Sequence, residues 1–280
     1  IIGYNKIPAV LPPKSKGKVE IPKSFYYEWT IRECLINAGF SEIMTSSFSD
    51  TGSVAIEKPL AEDKKYARPN LRGSFEKALK ANMLNAPLFG VNSEVRIFEI
   101  GRIFPKAGEA TALALGVAGA KKKIEEILAK TVALLGQKLG VAFVGETRND
   151  VFECNLDKTL QGSTLFTRSN LVEKWDIQIP ETKTKKFIPF SPYPFIVRDV
   201  ALFVSPDTKP ESVAKIIKDN AGDLVVRGPE LFDEFSKDGK KSLAFRLVFQ
   251  SFDRTLTDAE VNKVMEKVYL VLKAHGYEVR

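Results

Sequence analysis

The 280-residue chain is poor in the side chains that most enzymes use for chemistry: it has two cysteines, one histidine and two tryptophans. Cys34 and Cys154 lie far apart and form no CxxC, so neither a disulfide framework nor a zinc site is suggested. Each reads as a small buried hydrophobe, and a reducing cytoplasm is the default location. One histidine and two isolated cysteines leave no Ser-His-Asp triad, Cys-His pair or zinc cluster to propose. The single His275 falls in the last turn of a helical pattern, where a cation favours the negative end of the dipole and a structural role is expected. No GxxxxGK[ST] or GxGxxG loop is present to cradle phosphate. The longest apolar run, TALALGVAGA over 111–120, is about half of the ~20 residues a bilayer span needs and holds two glycines, so a soluble protein is expected. The chain opens on Ile1 without a basic-then-apolar leader, and it reads as an excised piece of a longer chain.

What is present is a basic excess with an uneven distribution. The net charge is +7, but residues 188–280 hold 14 Lys+Arg against 14 Asp+Glu, so the whole excess lies earlier and includes the KTKK tract at 183–186. Any nucleic-acid binding by the last third must therefore rest on local arrangement and not on bulk field. A length of 280 residues favours two domains. In the first part, PKSFYYEWTIRECLINAGF predicts an amphipathic helix through Phe25, Trp29 and Leu35, ended at Gly39. EIMTSSF (42–48) predicts a strand, and a helix is expected from Ser74 as N-cap through Met83. The strands VRIFEIGRIF and ALALGVAG follow, then a helix with the stripe Ile124, Leu128, Leu135 and Leu139, then strands VAFVGE and VFECNLD. This irregular mixture fits an α+β sheet domain better than a doubly wound one. Within it, Arg96 and Glu99, with Arg102, could present a guanidinium and a carboxylate to a nucleotide, although surface ion pairs are the commoner use of such residues. Glu125/Glu126 and Asp233/Glu234 are adjacent acids that diverge on their elements, so neither makes a general acid/base pair.

Composition shifts to Pro, Lys and Thr near 179–194, where a linker is expected, and Pro189, Pro192 and Pro194 make a stiff arm leading into Arg198 and Asp199. Beyond it the pattern is a strand VRDVALFV, a helix opened by a Thr208/Glu211 capping box, two strands around KDGK, and a helix opened by Thr257/Glu260. That second helix carries the stripe Val261, Val264, Val268 and Leu272 and stops at Gly276, and YEVR closes the order. The order β-α-β-β-α-β is the ferredoxin-like pattern. Period-2 alternation turns Leu243, Phe245, Leu247, Phe249, Val200, Leu202 and Val204 toward the helices. It leaves Ser242, Ala244, Arg246, Gln250, Ala201 and Phe203 on the open face, with Asp233 and Phe235 if the apolar match runs through Phe232. Rings, polar edges and small side chains together are equipment for an unstacked RNA base, and equally for a covering protein.

The segments SPYPFIVRDVALFV, LFDEFSKDGKKSLAFRLVFQSFDRTLTDAEV and GYEVR resemble the ferredoxin-fold anticodon-binding domain of the phenylalanyl-tRNA synthetase β-subunit family. AGFSEIMTSSFSD, RPNLRGSFEKALKANMLNA and VRIFEIGRIF are similar to that family's catalytic-like domain, a class II synthetase fold. The resemblance implies an α+β chain: a class II synthetase-like antiparallel sheet domain over 1–180, a linker over 181–194, and the anticodon-binding domain over 195–280. It also implies a noncatalytic scaffold for a catalytic α subunit in an (αβ)₂ assembly. That assembly charges tRNA(Phe) with phenylalanine, using ATP and Mg²⁺, neither of which is expected on this chain. The family's contact positions fall on Ala201, Asp233, Phe235 and Ser242, and Arg246 shares their face. Where the family's LFDxY pattern has Tyr, Phe235 keeps the ring and lacks the hydroxyl. An amino-acid-sensing module shares the strand order, but such modules bind through glycine-bearing loops and SPDTKPE has none; a protein-interaction subunit is the third reading.

Overall fold

A computed structural model describes residues 8, 10–11, 22–90, 93–119, 123–163, 189–237 and 240–280. The KTKK tract, residues 181–188 of the expected linker and the centre of the KDGK turn lie outside the described residues. No described helix is long and apolar enough to cross a membrane.

The first part is built on a five-stranded sheet. Helix α1 (Lys23–Asn37) leads into β1 (Ser41–Glu42), and a small sheet of β2 (Phe48–Ser49), β3 (Val54–Ala55) and β4 (Tyr66–Ala67) precedes α2 (Arg72–Leu84). Then come β5 (Val95–Ile103), β6 (Ala110–Ala118), α3 (Ile124–Leu139), β7 (Glu146–Arg148), β8 (Val151–Asn155) and the short α4 (Leu156–Leu160). The strand order is β1-β5-β6-β8-β7, antiparallel except where β1 runs with β5.

β6 shows why the sheet can be covered on both sides. Its large residues Leu113, Leu115 and Val117 join Phe98 and Phe152 in a core with α1 and α3, while Ala112 and Ala114 face α2. Gly116 continues the small face: a Cβ there would lie 2.6 Å from the Phe75 ring, so α2 approaches only because that atom is missing.

Several local expectations shift. In α1 the buried stripe is Tyr27, Ile31 and Leu35 with Tyr26 and Thr30, whereas Phe25 and Trp29 stand at its exposed margin. The strand expected over 42–48 is interrupted, because Thr45 leaves the ladder to bind the Glu99 carboxylate through both its N–H (3.2 Å) and its hydroxyl (2.7 Å). α2 begins before Ser74 and has no side-chain cap of its own; the Leu71 N–H instead donates to Glu153 on β8 at 2.9 Å. VAFVGE forms strand only from Glu146 onward.

The second part comprises β9 (Ile196–Val204), α5 (Pro210–Ala221), β10 (Val225–Lys237), β11 (Lys240–Phe249), α6 (Asp258–Ala274) and β12 (Glu278–Val279). Its order β10-β11-β9-β12 is that of the ferredoxin-like fold, with Leu243, Phe245, Leu247, Phe249, Val200 and Leu202 packed on Val213, Ile217, Val261, Met265 and Val268 of the helices. Thr257 and Glu260 form the reciprocal capping box at α6. Thr208 and Glu211 do not: Pro210 occupies the first turn of α5, which makes Lys209 the N-cap and leaves Thr208 outside the helix. The proline arm is fastened by Ser191 Oγ donating to the Ser251 carbonyl (2.5 Å) and Gln250 Nε2 donating to the Tyr193 carbonyl (2.7 Å). Gln250 thus belongs to the arm and not to the open face. Arg198 points to the helix side, bonding Asn262 and Asp258, and anchors β9 to α6.

Candidate nucleic-acid interface

Cross-strand register sorts the open face of the second sheet into rows. Phe235 on β10 is opposite Ser242 on β11, which is opposite Phe203 on β9, which is opposite Glu278 on β12. The next row runs Asp233, Ala244, Ala201, and the third runs Glu230, Arg246, Asp199. Paired residues of antiparallel strands share a face, so Ala201, Asp233, Phe235, Ser242 and Arg246 are brought together on one surface. The two phenylalanines stand one strand to either side of Ser242, about 10 Å apart on two interstrand spacings.

The parity on β10 depends on a bulge. Leu231 is opposite Phe245 and Asp233 is opposite Ala244, so Phe232 is an extra residue on the edge strand. Leu231 therefore joins the helix-side core, and Asp233 and Phe235 both come out on the open face. Glu234 goes the other way and pairs with Lys241 at 2.8 Å, which separates the two adjacent acids as their alternation requires.

Polar groups on this face differ in how far they are engaged. Ser242 is 3% exposed, and its hydroxyl makes no hydrogen bond among the described residues. Asp233 is exposed and has no partner among the described residues. A hydroxyl and a carboxylate left open on a surface between two rings suit a ligand with its own donors and acceptors. Ala201 and Ala244 floor the face beside them and let a flat group approach the backbone. Arg246, by contrast, donates through Nε and Nη2 to the two Asp199 oxygens, at 2.8 Å each, and lies 4.8 Å over the Phe232 ring. These bonds push its pKa further up. Two groups on this face were not read from the alternation: Asp199, whose partner sits on another strand, and Arg280, whose guanidinium lies 5.2 Å over Phe203.

The first part offers no comparable constellation at the nucleotide-like stretch. Residues three apart on a strand point to opposite faces, and Arg96 accordingly binds Glu94 at 2.6 Å while Glu99 turns inward. Glu99 meets Arg68 at 2.8 Å, both almost fully buried, and Arg102 pairs with Glu109 at 3.3 Å. The three side chains serve three separate ion pairs. Cys154 is buried and its thiol is pushed up to about 12 by burial, so it is an inert packing group. His275 Nδ1 lies 2.8 Å from the Val271 carbonyl at the end of α6.

Comparison with known proteins assigns the two halves. Residues 7–152 match the phenylalanyl tRNA synthetase beta chain CLM domain, and residues 191–280 match the ferredoxin-fold anticodon binding domain. The chain belongs to the phenylalanyl-tRNA synthetase beta chain family. Among curated relatives, the phenylalanine--tRNA ligase beta subunit of Clostridium tetani is 26% identical over 340 aligned positions, which take in all of this chain and 41% of the relative. The same subunit from a Synechococcus species is 42% identical over 94 residues, or 32% of this chain and 11% of that protein. The chain spans about two-fifths of the length of the first of these relatives. Solved structures with partial likeness include the pyrrolysyl tRNA synthetase PylSc of Desulfitobacterium hafniense, with TM-score 0.36 and 18% identity over 45% of this chain and 50% of that one. Apo S. aureus histidyl-tRNA synthetase has TM-score 0.36 and 16% identity over 46% of this chain and 35% of that one.

Proposed function

We propose that this chain is a noncatalytic portion of a phenylalanyl-tRNA synthetase β subunit that receives the anticodon region of tRNA(Phe) on the open face of its second sheet. The observation that carries this reading is a pair of polar groups unengaged among the described residues, the Ser242 hydroxyl and the Asp233 carboxylate, set among Phe235, Phe203 and the small Ala201 and Ala244. An unstacked base stacks on Phe235, its edge is read by Asp233 and Ser242, and the alanines admit it to the sheet. Asp233 accepts hydrogen bonds only, so it selects a base edge rich in N–H donors. Phe235 contributes stacking alone, without a phenol. The domain division follows: a class II-like scaffold over 1–180, a linker over 181–194 and the anticodon unit over 195–280. The scaffold serves a catalytic α subunit in the cytoplasm, where ATP is consumed with the help of Mg²⁺ at the α site and this chain binds neither.

Binding of the 280-residue chain to a labelled anticodon stem-loop of tRNA(Phe) tests the reading directly. Phe235→Ala is expected to weaken binding by about 1–3 kcal/mol through lost stacking. Affinity unchanged by Phe235→Ala would move the site off this face, and binding of a protein partner abolished by the same change would favour a covered sheet face instead.

A further inference from the structure

Asp233 and Phe235 reach the open face only because Phe232 is extra. On an unbroken ladder continuing from Leu231, which faces the helices, Phe232 would face outward, Asp233 inward and Phe235 inward. The bulge resets this count. It lies on an edge strand, where pairing on one side alone holds the backbone, and β10 is already irregular upstream, with further register shifts on both sides of Arg227. A bulge in such a strand can migrate by one residue unless something fixes it, and each such step would turn a reading residue to the wrong side.

Three residues on three adjacent chain segments meet there. Arg246 projects from the central strand β11, is gripped through Nε and Nη2 by Asp199 of β9, and offers its guanidinium plane to the Phe232 ring at 4.8 Å. The bidentate pair fixes the guanidinium's orientation, and the fixed plane holds the ring by cation–π attraction. Arg246 is directly opposite Glu230 and Asp199, one row from the Asp233 row, so its anchor sits beside the bulge.

We propose that Arg246 is a positioning residue: with Asp199 it clamps Phe232, pins the β10 bulge, and thereby aims Asp233 and Phe235 at the RNA without touching RNA itself. The proposal rests on the anticodon-binding reading for its consequence, but the clamp itself is a property of the free protein. A guanidinium that met a phosphate would instead have to leave Asp199.

The test uses the full chain with Asp199→Asn, Arg246→Gln and the double variant. In the free protein, amide hydrogen exchange over 231–236 should accelerate by roughly tenfold in each single variant, with exchange at Val268 in α6 unchanged. Affinity for the labelled tRNA(Phe) anticodon stem-loop should fall by a similar factor in both single variants and no further in the double, because both act through one clamp. The salt dependence of binding should keep its slope, since no phosphate contact is lost. Phe232→Leu, which keeps the apolar bulk and removes the ring, should reproduce the exchange result. The proposal is overturned if exchange over 231–236 is unchanged in all three single variants. It is also overturned if Arg246→Gln weakens binding and lowers the salt slope by about 1 while Asp199→Asn leaves binding intact or stronger, which is the signature of a phosphate contact. If the unaltered chain binds no RNA, the anticodon reading fails, and the exchange measurements alone decide whether the clamp exists.

Discussion

Glu99 shows how a residue type that suggests chemistry can be absorbed by structure. Its carboxylate accepts from Arg68, from the Thr45 hydroxyl and from the Thr45 N–H, and Arg68 spends another donor on the Arg102 carbonyl at 2.8 Å. Every one of these bonds joins β5 or its end to the segments around Thr45 and Arg68, so the pair's contribution is to hold the interrupted strand after β1 against β5. Glu99→Ala would leave a guanidinium buried without its counter-charge, and a loss of about 3–5 kcal/mol in denaturant unfolding is expected. Glu99→Gln keeps the packing and an acceptor for Arg68 and should lose less; equal losses for the two changes would show that the charge, which both remove, is what matters. The same residue-scale reasoning explains why the reading face was only half legible. Ala201, Ser242 and Arg246 lie on regular strands whose alternation assigns them a face directly, but Asp233 and Phe235 lie beyond a bulge that no period announces. Alternation places them outward only if Phe232 makes the apolar match, whereas that match is made by Leu231 and the bulge restores their side. The engagement of Arg246 by Asp199 was not readable at all, because a cross-strand partner depends on register.

At the scale of elements, caps separate the local from the long-range. The box at Thr257 and Glu260 is complete within four residues and was legible; its arginine neighbour Arg254, its first cause, and the Thr257 bonds hold the Glu260 carboxyl down to about 2. A carboxylate with a depressed folded value stabilises above its unfolded value of about 4.3 and loses that contribution as pH falls toward 2. Glu260 should therefore remain ionised in an NMR titration down to about pH 3, and a midpoint near 4 would mean that the box opens in solution. α2 takes its cap from β8, 82 residues away in sequence, so no motif near Ser74 could reveal it. Burial is the main influence on Glu153 and raises its pKa, with the Leu71 N–H and Arg72 opposing. The sign is the reverse of Glu260: the folded state favours the protonated form, and stability from this group is lost as pH rises through its folded value. Glu153→Gln keeps an acceptor for Leu71 and should flatten that pH dependence with little loss at neutral pH, whereas Glu153→Ala should cost about 1 kcal/mol as a lost cap. A larger loss for Gln than for Ala would contradict the capping role. The misphased stripe of α1 has a related cause, since aromatic residues occupy both Phe25–Tyr26–Tyr27 and Trp29, and helical spacing alone cannot tell which set faces the core.

For the whole molecule, charge and the proposed recognition face are divided along the chain. The basic excess of +7 lies entirely before residue 188, while the part that carries the proposed face is neutral, with 14 charges of each sign. General attraction for RNA should therefore come from the first part and be screened by salt, as contacts with phosphate are. The contribution of Phe235 is of another kind, because stacking on a ring buries apolar surface and is not weakened by counterions. These two terms can be separated in one experiment on the full chain. Overall affinity for the tRNA(Phe) anticodon stem-loop should fall steeply between low and physiological salt, but the ratio of affinities between the unaltered chain and Phe235→Ala should stay constant. A ratio that shrinks toward one as salt rises would mean that Phe235 acts by shaping an electrostatic contact. A constant ratio would locate base recognition on the neutral sheet and leave the basic first part to hold the RNA near it.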